Sequence, residues 1–197
     1  YAKGGTITKT GGDIVVSAGI ASGMDVFPAS KITYGDAKAT THVTVEGMKA
    51  YGIRTRGQAS TGQTAAIELT NGVIRAQSSG DTAIGAYNSS GEISLKGTTA
   101  ITATAAAPGQ KVYSLYVKGD TPNTITVDKA STIEGDIETA TKSSSVRAFI
   151  QDGGSLRGWT RSQGDLDLSF GKNAVWEVVS SNPVSYTHLT LPTTPYV

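Results

Sequence analysis

Short bursts of strict apolar–polar–apolar alternation run the length of the chain, and helical periodicity is nearly absent. The clearest bursts are Val43-Thr44-Val45, Ile67-Glu68-Leu69, Ile93-Ser94-Leu95, Ile125-Thr126-Val127 and Leu166-Asp167-Leu168. A period of two places the outer side chains of each triplet on one side of a strand and the middle one on the other. These segments therefore predict strands with one face buried. Breaks rich in Gly, Ser and Asn separate them, among them Asn71-Gly72, Ser89-Ser90-Gly91, Pro108-Gly109 and Gly153-Gly154.

The strands recur in a fixed order. Ile67-Glu68-Leu69 is followed by Val73-Ile74-Arg75-Ala76 and then Ala83-Ile84-Gly85-Ala86. Next come Ile93-Ser94-Leu95, Ala100-Ile101-Thr102-Ala103 and Ser114-Leu115-Tyr116-Val117, and a third pass runs Ile125-Thr126-Val127, Ser131-Thr132-Ile133 and Gly135-Asp136-Ile137. Upstream, Tyr51-Gly52-Ile53 takes the place of Ile84 and Leu115. A loose period on the order of thirty residues, with three short strands per repeat and no helix between them, predicts an all-β solenoid. Inward Ile, Leu and Val would form ladders along its axis, with Thr, Ser and charged residues facing water. An antiparallel sandwich shares the alternation but gives no reason for the ordered recurrence. A propeller blade would need a fourth strand and recurring aromatic motifs.

Composition sharpens this picture. Hydrophobic residues make up 38% and charged residues 17% of the 197, with 24 glycines; this is too little apolar material for a core of long helices. Regularly placed Ile, Val and Leu argue against disorder. The net charge of +1 comes without a basic block, which sets nucleic-acid binding aside because such a groove needs concentrated positive charge and stacking platforms. The absence of cysteine fits passage through an oxidising compartment, where thiols would cross-link prematurely.

A family likeness lies in residues 130–179. Ile133-Glu134-Gly135-Asp136-Ile137 precedes Gly154-Ser155-Leu156-Arg157-Gly158, followed by Leu166-Asp167-Leu168-Ser169-Phe170 and Asn173-Ala174-Val175-Trp176-Glu177-Val178. This order resembles the later coils of pertactin-like autotransporter passenger domains. The resemblance covers about a quarter of the chain closely, and the upstream repeats agree in general pattern. It implies a right-handed parallel β-helix, carried across the bacterial outer membrane by the protein's own C-terminal β-barrel. The implied place is the cell surface, the outer membrane or the secreted fraction. The implied role is that of an adhesin stalk contacting a protein or glycan on a host or neighbouring cell, without catalysis and without a cofactor. Two alternatives stay open: a carbohydrate-active β-helix (polysaccharide lyase or glycoside hydrolase), and a filamentous haemagglutinin-type exoprotein.

Residues 1–182 read as a passenger segment of a longer protein, since Tyr1 stands directly before strand-like sequence. The pattern departs at Pro183. Val184-Ser185-Tyr186-Thr187-His188-Leu189-Thr190-Leu191-Pro192-Thr193 resembles a translated transposase adapter from DNA library preparation, so 183–197 reads as a non-native tail.

Candidate chemistry is thin. A β-helical polysaccharide enzyme needs convergent carboxylates, for acid–base work or to hold calcium. Asp165 with Asp167, and Glu134 with Asp136, stand two apart and are expected to point outward on one side. Solvent-facing polarity already accounts for them, and that reading is preferred to catalysis. Of the two histidines, His42 reads as an outward strand residue and His188 lies in the tail. Triads and His-based zinc sites have nothing to build on, and we assign no catalytic, cofactor or metal residue. Gly11-Gly12-Asp13 is an isolated fragment of a calcium repeat and reads as a turn, and Asn88-Ser89-Ser90 is a sequon by rule. Tyr51, Tyr87, Tyr113, Tyr116 and Trp159 either form an aromatic face for glycans or cover a ladder and its corners.

Overall fold

A computed structural model describes residues 1–57 and 64–179; the expected tail at 183–197 lies outside them. Strand accounts for 72% of the described residues, and no helix occurs among them. The strands form one 15-stranded sheet, and every strand pairing in it is parallel. Parallel pairing removes the antiparallel sandwich and the propeller.

Three ladders of strands make up the sheet. The first runs through β1 (Thr6–Lys9), β4 (Ser30–Tyr34) and β6 (Ala65–Thr70). It continues through the leading halves of β8 (Gly91–Ala105), β10 (Asn123–Glu134) and β12 (Ser144–Arg157), and ends on β14 (Asp165–Phe170). The second begins at β2 (Asp13–Ser17) and takes the leading halves of β5 (Thr41–Thr55) and β7 (Gly72–Asn88). The trailing halves of β8, β10 and β12 follow, then β15 (Val175–Glu177). The third joins β3 (Ile20–Val26), the trailing halves of β5 and β7, β9 (Lys111–Val117), β11 (Asp136–Thr139) and β13 (Thr160–Ser162). Each pass of the chain visits the first, second and third ladder in that order.

Register turns alternation into columns. In the first ladder Ile7, Ile32, Ile67, Ile93, Ile125, Val146 and Leu166 pair in succession. In the second the column is Ile14, Val43, Ile74, Ile101, Ile133, Leu156 and Trp176. In the third, Met24, Ile53, Ala86, Leu115 and Ile137 line up. The buried residues of all three ladders form one hydrophobic cluster. Each fully buried Ile, Leu or Val adds roughly 1.5–3 kcal/mol, so stability is spread over many small, similar contributions.

Corners are set by backbone chemistry. Between first and second ladders the chain passes through Gly35, Asn71 and Gly97, with φ of 88°, 50° and 66°. Asn71 suits this left-handed conformation and ties neighbouring passes: its Nδ2 donates to the Asp36 carbonyl, and its Oδ1 accepts from the Thr98 N–H, both at 3.0 Å. The expected break at Gly153-Gly154 falls inside continuous β12, because parallel pairing carries on around the corner. Ala29 holds φ of 60° with a Cβ, a conformation that costs an L-residue about 1 kcal/mol. Ala29→Gly is therefore expected to raise unfolding free energy by roughly 0.5–1 kcal/mol, read as a higher urea midpoint at unchanged slope.

The third ladder departs from simple alternation. Gly23, Gly52 and Gly85 precede Met24, Ile53 and Ala86, so two consecutive residues turn inward at this level. A Cβ on Gly52 would collide with the Ile74 side chain and the Gly85 carbonyl, and one on Gly23 with Val43 and the Gly52 carbonyl. The glycines form a notch that receives the large second-ladder residues. Ile84 pairs with Tyr51 and Tyr113, whereas Leu115 shares its column with Ile53. Tyr51-Gly52-Ile53 thus matches the two expected partners at different positions of the strand.

Candidate functional site

The outer side of the third ladder gathers four of the five singled-out aromatics. Arg54, Tyr87, Tyr116, Glu138 and Arg161 pair in sequence along one outward column, with Tyr51, Ile84 and Tyr113 along the next. The Tyr87 and Tyr116 rings stack at 5.7 Å, Tyr113 lies against Tyr116 at 4.7 Å, and Tyr51 meets Tyr87 edge-on at 5.8 Å. The rings largely cover one another and Ile84, which is buried despite its outward position. Edges and hydroxyls, more than ring faces, are left for solvent. Trp159 sits two passes beyond Tyr113 and Tyr116; its backbone N–H donates to Asp136 Oδ1 at 3.0 Å, and its ring is outside the tyrosine cluster.

Burial pushes the Tyr113 hydroxyl well above its ordinary 10.0, and the Glu138 carboxylate that accepts its hydrogen bond adds to the shift. Burial is also the first cause of the upward shifts at Tyr87 and Tyr116. A folded-state value above the unfolded one means the native chain holds these protons more tightly. Their contribution is complete below pH 10.0 and is lost as pH rises beyond it. The urea midpoint is expected to fall above pH 10, and to fall less in a Tyr87→Phe/Tyr113→Phe/Tyr116→Phe variant. An absorbance titration with all eight tyrosines ionising together near 10 would contradict this.

Cations border the cluster. Arg54 and Arg56 both hold Asp25, at 2.7 Å each. Arg54 lies over the Tyr51 ring at 4.7 Å, and Arg56 over Phe27 at 5.1 Å. Burial raises the Asp25 carboxyl, and the Arg56 hydrogen bond opposes that shift. Lys49 pairs with Asp81 at 3.1 Å.

The other sequence candidates do not assemble. Asp165 and Asp167 are both exposed on the outer side of β14, as expected, with Arg147 paired beside Asp167. Glu134 and Asp136 do not share a side, contrary to expectation. Gly135, at φ of 114°, turns the corner between them. Glu134 stays outside, paired with Arg157 at 3.2 Å, and Arg157 in turn pairs with Glu177 at 3.2 Å, while Asp136 is 2% exposed. His42 is outward, its Nδ1 3.1 Å from Asp13 Oδ1. Among the described residues, no three His, Asp or Glu side chains form a metal cage. Gly12 has φ of 97°, in keeping with a turn at Gly11-Gly12-Asp13.

Asn88 is a structural residue in the fold. It is fully buried; its Nδ2 donates to the carbonyls of Gly91 at 3.0 Å and Thr124 at 2.7 Å, and its Oδ1 accepts from Thr55 Oγ1 at 2.6 Å and Ser90 N at 3.1 Å. An amide so enclosed is closed to glycosylation in the folded chain. Local sequence carries no sign of this role, because the partners come from three different passes. No family model matches the chain, and no curated protein or solved structure is significantly similar to it.

Proposed function

We propose that the chain is a segment of a right-handed parallel β-helix from the passenger domain of a pertactin-like bacterial autotransporter, serving as a stiff surface stalk that presents contact surfaces to host or neighbouring cells. The observation that carries this reading is the unbroken first-ladder column from Ile7 to Leu166, matched by a second from Ile14 to Trp176. A chain that visits three parallel ladders in cyclic order winds as a coil, and parallel crossovers are right-handed almost without exception. The dispersed carboxylates favour a mechanical role over acid–base catalysis.

In such a rod each pass buries its apolar side only against its neighbours, so folding can propagate pass by pass. A folded pass cannot slip back through a narrow pore, which gives export a direction. The Trp176 end is where this begins in the proposed family. There Trp176 stacks on Phe170 at 5.9 Å and donates from Nε1 to the Gly158 carbonyl at 3.0 Å. Changing Leu166, Leu168 and Trp176 to Asp in a chain fused to its own outer-membrane barrel is expected to abolish protease-resistant surface display. Normal display would overturn the reading.

A further inference from the structure

We propose that the outer side of the third ladder binds a linear anionic polysaccharide lying along the stacking direction, with its acidic groups on Arg54, Arg56, Lys118 and Arg161 and its hydroxyls on the tyrosine edges. The proposal deepens the surface-contact reading by assigning that contact a place and a ligand class.

Charge is the first argument. Asp25 is held by Arg54 and Arg56 and Asp81 by Lys49, whereas Glu138 accepts only from the neutral Tyr113 hydroxyl and keeps its charge, so Lys49, Arg54, Arg56, Lys118 and Arg161 face three carboxylates. Among the described residues Lys118 and Arg161 make no ion pair, so the side carries a positive surplus. The other two sides do not. On the first, Glu68 is shared by Lys31 and Lys96, with Glu92, Asp165 and Asp167 further along. On the second, Arg157 is flanked by Glu134 and Glu177. Positive charge therefore coincides with the aromatic cluster.

Shape is the second. At the upstream end of the strip Arg54 Nε is buried without a hydrogen-bond partner. Along the strip Arg54, Tyr87, Tyr116, Glu138 and Arg161 follow one another, one residue per pass, with Lys118 two residues beyond Tyr116. With strands about 4.8 Å apart, these polar side chains repeat at the scale of one sugar unit in an extended chain, and the Glu138 carboxylate separates the tyrosines from Arg161.

Ring geometry chooses the ligand class. A single-stranded nucleic acid needs free aromatic faces for its bases, and here Tyr87, Tyr113 and Tyr116 use their faces on one another. Tyrosine edges and hydroxyls, beside guanidinium and ammonium groups, suit sugar hydroxyls with carboxylates or sulfates.

The test uses the 197-residue chain and calorimetric titration with four probes of matched length: a heparin hexasaccharide, a galacturonate hexamer, neutral maltohexaose and an oligo-dT. Heparin and galacturonate separate sulfate from carboxylate recognition. At low salt, at least one anionic sugar is expected to bind, maltohexaose is not, and added salt weakens the affinity. Lys118→Gln/Arg161→Gln touches no ion pair and is expected to weaken binding roughly tenfold, with an unchanged circular dichroism spectrum. Arg75→Gln, on the second side, is expected to leave affinity unaltered. The proposal is overturned if neither anionic sugar binds, if maltohexaose binds equally, if oligo-dT binds most tightly, or if the Lys118/Arg161 variant binds as the parent does. None of these outcomes bears on the export reading, which surface display tests separately.

Discussion

Asn88→Ala is expected to lower the unfolding free energy by about 3–5 kcal/mol, although the substitution removes no apolar contact of any size. The amide joins Thr55 below, Ser90 and Gly91 at its own corner, and Thr124 above. Alanine leaves buried donors and acceptors on three successive passes without a partner, each costing about 1–3 kcal/mol where water cannot replace the amide. Asn88→Asp is expected to be equally damaging, since a carboxylate oxygen would face the Gly91 and Thr124 carbonyls in place of a donor. Urea unfolding measures both. A loss under about 1 kcal/mol for Asn88→Ala would mean that this corner is hydrated and the bonds are not limiting.

The glycine notch carries the second large effect. A Cβ on Gly85 would lie 2.5 Å from Ile101 Cγ2 and 2.7 Å from the Ser114 carbonyl oxygen. The isoleucine cannot retreat, because it stands in the column between Ile74 and Ile133, and the carbonyl belongs to the neighbouring strand. Gly85→Ala should therefore cost about 3 kcal/mol or more, at the upper end of overpacking effects. Gly5→Ala serves as control: nothing lies within 4 Å of its added Cβ, and a change within about 0.5 kcal/mol is expected. If the two substitutions were equally mild, the close approach of second and third ladders would be wrong.

Much of this fold was readable in the residues, for a physical reason. Burial on one side imposes period two on any strand, and stacking identical passes imposes recurrence on top of it. Ile67, Ile93 and Ile125 could accordingly be placed as equivalents, and they pair in register. Corners were harder. Glu134 and Asp136 looked like neighbours on one side because alternation presumes a straight strand, and Gly135 breaks that presumption with its positive φ. The notch glycines had a signal that went unused: Gly23, Gly52 and Gly85 recur at one level of the third ladder, visible once the passes are aligned.

The site was legible as a set of residues and not as a geometry. Tyr51, Tyr87, Tyr113 and Tyr116 stand out by type, and register explains why they converge. Whether they offer faces or edges depends on how each ring meets its neighbour on the next pass, which no local window encodes. Asn88 is the same lesson in reverse: a surface motif by rule, it is enclosed because its partners lie a full pass away in either direction.

The cyclic parallel winding can be tested by distance. The chain has no cysteine, so spin labels can be placed at will. Thr33, Glu68, Ser94, Thr126, Arg147 and Asp167 follow one another along the outer side of the first ladder. Pulsed dipolar spectroscopy on Thr33→Cys/Arg147→Cys and on Thr33→Cys/Asp167→Cys is expected to give single distributions near 19 and 24 Å, differing by about one strand spacing of 4.8 Å. Distances that fail to lengthen by that step, or a broad mixture for either pair, would contradict the stacked winding on which the rest is built.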